Sequence, residues 1–314
     1  MIAQLEQIDP WQFQWHPEVW VLVAFLTVAY VYMVRVIGPK AVPAGTPVVT
    51  RFNIACFVGA MLMLWVASDW PVHDIGEEYL YSAHMVQHMM LSYFLPPLVL
   101  MATPQWLMRV LVGDGKLYRV VAFMCKPVIA AVMFNAVIII THIPGVVNAS
   151  VDNGPLHYSL HFAVVLFSLL MWMPVVGPLP ELQITPLGKC IYLFAQSLVP
   201  TIPAAWLTFA EGAVYSTYDQ PIRVWGLSVA ADQQLAGALN ELNDAQRQAV
   251  VAAHVQALGG GRREDGGVVP GELGERARQL LQPAVVGVAA VGQPVVRVEV
   301  DGELAAGGQG EVEG

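Results

Sequence analysis

The chain has 314 residues, of which 56% are hydrophobic and only 12% charged, where soluble domains average about 25% charged. That composition excludes an ordinary soluble globular domain and implies a membrane protein. The formal net charge of -9 offers no basic footprint for nucleic acid and is largely local: residues 1–225 hold 9 Lys+Arg against 12 Asp+Glu, and residues 226–314 hold 6 against 12.

The N-terminus shows neither a basic n-region nor a small-residue cleavage site, so no removable signal peptide is expected. Trp11, Trp15, Trp20 and, further on, Trp70 read as an interfacial aromatic belt. Six apolar stretches follow at 18–37, 52–70, 79–102, 122–142, 157–176 and 189–209. Each approaches the roughly 20 residues a helix needs to cross a bilayer core. Their connections, such as IGPKAVPAGTP and VVGPLPELQITP, are short and rich in Pro and Gly, which predicts one helical bundle. Pro96 and Pro97 are expected to break the third span at mid-membrane. Cys56, Cys125 and Cys190 lie singly in or beside apolar runs and form no CxxC motif, so they read as packing residues.

Basic residues set the orientation. Arg35, Lys40 and Arg51 flank the first connection, Arg109, Lys116, Arg119 and Lys126 the third, and Lys189 the fifth. The second carries Asp69, Asp74, Glu77 and Glu78, and the fourth only Asp152. The positive-inside rule therefore places the N-terminus and the second and fourth connections outside.

Against that topology the histidines converge. His84 and His88, in YSAHMVQHMML, lie about 8 and 14 Å below the outer start of the third span at 1.5 Å per residue, and their spacing of four puts both on one face. His157 and His161, in HYSLH, repeat the pattern at the outer end of the fifth span, and His142 closes the outer end of the fourth. His16 and His73 lie outside the spans on the same side and are weaker candidates.

Metal or heme ligation is the chemistry that needs such an arrangement. Neutral imidazole suits copper, zinc, iron and nickel, and thioether sulfur from Met85, Met89 and Met90 would select Cu(I) among them. Asp69, Asp74 and Glu77 are placed to orient imidazoles, as metal-bound histidines usually require. A lone intramembrane histidine is often only an interhelical hydrogen-bonding residue, which is the competing reading for His142. That reading fits two HxxxH pairs at one depth less well, whereas methionine at helical spacing is more often packing than ligand. No GxSxG, P-loop, GxGxxG or HExxH motif competes.

The chain resembles the membrane-integral CtaG-type cytochrome c oxidase assembly factors associated with caa-type oxidases. The resemblance rests on HMVQHMML followed by PP, on THIPG, HYSLHF and WMPVVGPLP, and on DQQLAG at residues 232–237, and it covers roughly residues 10–237. It implies a multi-pass protein of the bacterial plasma membrane that matures a heme-copper oxidase by handling copper. The matching polar positions are His84, Gln87, His88, His142, His157 and His161, with Asp232 and Gln233 in the C-terminal motif. The family pattern also implies a further span beginning at DQQLAG, but here the motif leads into ALNELNDAQRQAVVAAH, which is too polar to cross. No Trp, Tyr, Phe, Met, Cys or Lys follows Trp225, which predicts a largely disordered extension with one amphipathic helix.

The expected architecture is therefore all-α: a polytopic membrane helical bundle of about six transmembrane helices over residues 1–225, N-terminus outside, then a soluble extension over 226–314. The expected metal ligands are His84, His88, His157 and His161 in one shared site, with His142 as a fifth ligand or the partner of one. Gln87, Met85, Met89, His73, Asp69, Asp232 and Gln233 are auxiliary. The expected role is an oxidase assembly factor and copper metallochaperone rather than an enzyme, working with oxidase subunits in the lipid bilayer; one chain or a homo-oligomer would supply the ligands. The alternatives are a bis-histidine heme protein for membrane electron transfer and a metal-free scaffold.

Overall fold

The computed structural model describes residues 9–151, 153–219 and 223–240, and every regular element among them is helical. Among the described residues, five helices are long and apolar enough to cross a membrane: Pro17–Ala41, Arg51–Ser68, Tyr81–Ala102, Gly154–Val176 and Pro186–Thr208. They correspond to the first, second, third, fifth and sixth expected spans.

The fourth span differs from its expected form. A continuous helix from 122 is replaced by two, Lys116–Met124 and Pro127–Thr141, bent by 73°. Proline 127 supplies no N–H to continue the helix and pushes Lys126 to extended geometry, with ψ at 130°. The apolar part beyond the bend has 15 residues.

Nor is the third span broken at its prolines. Tyr81–Ala102 is one helix, in which the turn Met90–Phe94 widens to π geometry ahead of Pro96 and Pro97. Pro96 cannot donate to the Ser92 carbonyl one turn back. The Trp172 indole of the fifth span does so instead, at 3.2 Å, so the Ser92 carbonyl is not stranded in an apolar interior.

Burial ranks the helices. The most apolar window of the third span is 61% buried and that of the first only 6%, so the third is central and the first lies on the rim. Ala60 and Ala67 on the second span pack against Leu91 and Leu95 of the third, the close approach through small residues that replaces a hydrophobic driving force in lipid. Tyr93, Phe134, Ile138, Met171, Val175 and Tyr192 knit the third to the fourth, fifth and sixth spans.

At the histidine-bearing end, several connections meet. Tyr218 donates to the Gly76 carbonyl at 2.9 Å and Tyr215 to the His142 carbonyl at 3.1 Å, and both rings pack with Tyr81. Residues 229–240 are helical and join this packing, since Asp232, Gln233 and Ala236 are fully buried. A Cβ on Gly237 would stand 2.6 Å from the Ala204 carbonyl of the sixth span, so that contact needs glycine. The remainder of the expected extension, 241–314 with His254, lies outside the described residues, as does Asp152.

Candidate metal centre

The third span starts at Tyr81, and its own preceding residue, Leu80, supplies no side-chain cap. Asp232 does so from 151 residues away. Its carboxylate accepts from the Tyr81 N–H at 2.8 Å, the Ser82 N–H at 3.0 Å and the Ser82 hydroxyl at 2.6 Å. This fixes the helix start one turn before His84. Gln233 acts similarly, its side-chain oxygen accepting from the Val214 N–H at 2.8 Å. These two residues of DQQLAG therefore hold backbone amides and the Ser82 hydroxyl.

Below that cap, the i, i+4 spacing brings the rings of His84 and His88 to 4.5 Å, and His161 of the fifth span stands 4.8 Å from His88 and 5.6 Å from His84. One nitrogen from each ring lies within 4.8 Å of the other two. His84 Nδ1, His88 Nδ1 and His161 Nε2 are all buried without a hydrogen-bond partner. Each ring of the triangle thus carries one orphaned nitrogen, which is costly unless something else binds it. The three rings fit a metal ion by number, type and convergence.

His157 takes a different place from the shared four-histidine site expected. Its ring lies 4.2 Å from His161 and 5.9 Å from His84, but its nitrogen converges with His73 and Glu77 in a second group, again within 4.8 Å. His73 Nε2 lies 2.8 Å from Glu77 Oε2, and His157 Nδ1 lies 3.7 Å from Glu77 Oε1. Burial raises the Glu77 pKa, but the His73 hydrogen bond and the charges of His157 and His73 outweigh it, leaving the carboxyl below its ordinary value. Glu77 was expected only to orient imidazoles; the signal for more was its spacing of four from His73.

Other residues divide clearly. Gln87 donates to His73 Nδ1 at 3.0 Å, linking the two groups from the back. His142 donates from Nδ1 to the Ile138 carbonyl at 2.7 Å, which leaves Nε2 as the lone-pair nitrogen, and that atom is buried without a partner. It lies outside the 4.8 Å triangle but lines a small cavity with His88, Met85 and Met89. Met85 otherwise packs among Tyr81, Tyr215 and Tyr218. Asp69 accepts from the Trp65 indole at 2.7 Å, and Asp74 pairs with His16 Nε2 at 2.8 Å. Six rings thus form a row, with His16 5.1 Å from His73 and His73 5.9 Å from His157.

No curated protein and no solved structure matches the chain. The sequence model of the cytochrome c oxidase caa3 assembly factors matches residues 28–253, which takes in every ring of this row except His16. The chain belongs to the cytochrome c oxidase caa3 assembly factor family.

Proposed function

We propose that the chain holds copper, as Cu(I), on His84, His88 and His161 while a caa3-type oxidase is being matured, at the outer face of the membrane. The observation that carries this reading is a triangle of three imidazoles, one nitrogen of each lying within 4.8 Å of the others, in which every ring also carries a buried nitrogen without a hydrogen-bond partner. Imidazole suits copper. The triangle contains no carboxylate, and the cost of burying an uncompensated charge rises steeply with that charge. A monovalent ion therefore fits it better than a divalent one. Three nitrogens gathered on one point also suit a single ion better than a porphyrin iron, which takes its axial ligands from opposite faces.

The outward orientation rests on the basic residues of the first, third and fifth connections. The copper here is cargo, and the chain's own residues supply the holding. Asp232 fixes the start of the helix that carries two of the ligands, and the Tyr81, Tyr215 and Tyr218 cluster packs over that start.

Cu(I) titration of purified protein against a chromophoric competitor tests the proposal. His88→Ala and His161→Ala should each weaken binding by more than about 100-fold, the upper end of the cost of losing a residue that only orients a ligand, and the double variant should lose less than the two effects combined, because the second loss acts on a site already opened. Strictly additive losses, or full binding by the double variant, would refute a shared site. Met85→Leu should change Cu(I) affinity little, since that side chain packs among tyrosines.

A further inference from the structure

We propose that His73, Glu77 and His157 form a second metal site, separate from the imidazole triangle, for a divalent cation of borderline softness such as Zn2+ or Cu2+. Two imidazoles and one carboxylate are a donor set for such ions. The carboxylate is the difference that matters: it offsets one of the cation's two charges, which the triangle cannot do.

Three observations carry the site. One nitrogen or oxygen from each residue lies within 4.8 Å of the other two. The two oxygens of Glu77 are divided between two rings, Oε2 lying 2.8 Å from His73 Nε2 and Oε1 lying 3.7 Å from His157 Nδ1. The second distance is beyond a hydrogen bond, so no direct bond ties His157 Nδ1 to that oxygen. Finally, His157 is buried, with only 2% of its surface exposed, so its ring is held in place beside Glu77.

The surroundings fit a metal on His73 Nε2. That state needs the proton on Nδ1, and the amide of Gln87, 3.0 Å away, can turn its oxygen toward it. Gln87 Oε1 is buried without a partner, so nothing else holds the amide in one orientation. Gly76 brings the segment close enough: a Cβ there would stand 2.9 Å from His84 N, so only glycine lets Glu77 lie this near the third span.

The proposal goes beyond copper handling and does not depend on it. The probe is Zn2+, titrated into full-length protein in nanodiscs against a chromophoric chelator, with His88→Ala and His161→Ala introduced to silence the triangle. One equivalent should still bind, and adding Glu77→Gln or His73→Asn should weaken it by more than about 100-fold, the upper end of the cost of losing a residue that only orients a ligand. In an otherwise unaltered chain, Glu77→Gln should leave Cu(I) affinity within about threefold of the parent, a limit well inside the loss expected at a true ligand; this separates the two sites and reports an intact fold. The proposal is overturned if no Zn2+ binds, if binding survives both Glu77→Gln and His73→Asn, or if Glu77→Gln abolishes Cu(I) binding as well. Should Cu(I) fail to bind anywhere while Zn2+ binding depends on Glu77, this site stands and the copper reading falls.

Discussion

Asp232→Ala tests whether the DQQLAG motif acts as the cap of a helix far away in sequence. The substitution strands two backbone N–H groups, of Tyr81 and Ser82, and the Ser82 hydroxyl, all of which now end on one fully buried carboxylate. Each buried group left without a partner costs about 1–3 kcal/mol, and losing an ordinary exposed cap costs about 1 kcal/mol. Removing the carboxylate also relieves the cost of its own burial, since Arg223 stands no nearer than 3.9 Å. The net expectation is a loss of about 3–5 kcal/mol, well above that of an exposed cap. Asp232→Asn keeps one acceptor but turns an N–H toward the donors, and should lose nearly as much. Unfolding in mixed micelles, followed by helical circular dichroism, measures the loss, and hydrogen exchange at the Tyr81 and Ser82 amides localises it. A change within about 0.5 kcal/mol, the range of an unremarkable surface substitution, or unchanged protection of those amides, would refute the capping role.

Gly76→Ala should destabilise the histidine-bearing end by about 1–3 kcal/mol, the usual cost of overpacking, because the added methyl meets the backbone of His84 rather than a movable side chain; a thermal midpoint equal to the parent's would count against it. Trp172→Phe removes the donor that replaces the missing Pro96 N–H at the Ser92 carbonyl, and should cost about 1 kcal/mol, measured by the same unfolding assay; a neutral result would mean the carbonyl finds another donor. Burial lowers the His16 pKa, but the hydrogen bond to Asp74 and the charges of Asp74 and Glu18 outweigh it, so the folded value lies above 6.5. The folded chain then holds that proton more tightly than the unfolded one. Its contribution is complete below pH 6.5 and fades as pH rises through the folded value. Stability should fall across that window, and His16→Gln should flatten the fall; an identical slope in the variant would exclude His16 as its source.

The sequence by itself determined the membrane setting, the helical class and five of the six spans closely, because a run of apolar residues long enough to cross lipid can satisfy its backbone only as a helix. It also put His84 and His88 on one face, since i, i+4 spacing fixes this within a single helix. The fourth span was harder to read. Apolar residues resume on both sides of Lys126 and Pro127, so hydropathy reads them as one span, and only the backbone shows that the helix bends there by 73°. Pro96 and Pro97 gave the opposite error, because a π turn and an indole from another helix remove the need for a break. The partition of the histidines was decided by tertiary structure alone. Spacing makes His157 and His161 equivalent, yet the rotation of the fifth span against the third sends His161 to the triangle, while the loop folded back by Gly76 brings Glu77 and His73 to His157. Asp232 shows the same limit at greater range: the motif is visible in the chain, but a carboxylate that caps a helix 151 residues away acquires its role only when packing brings the two together.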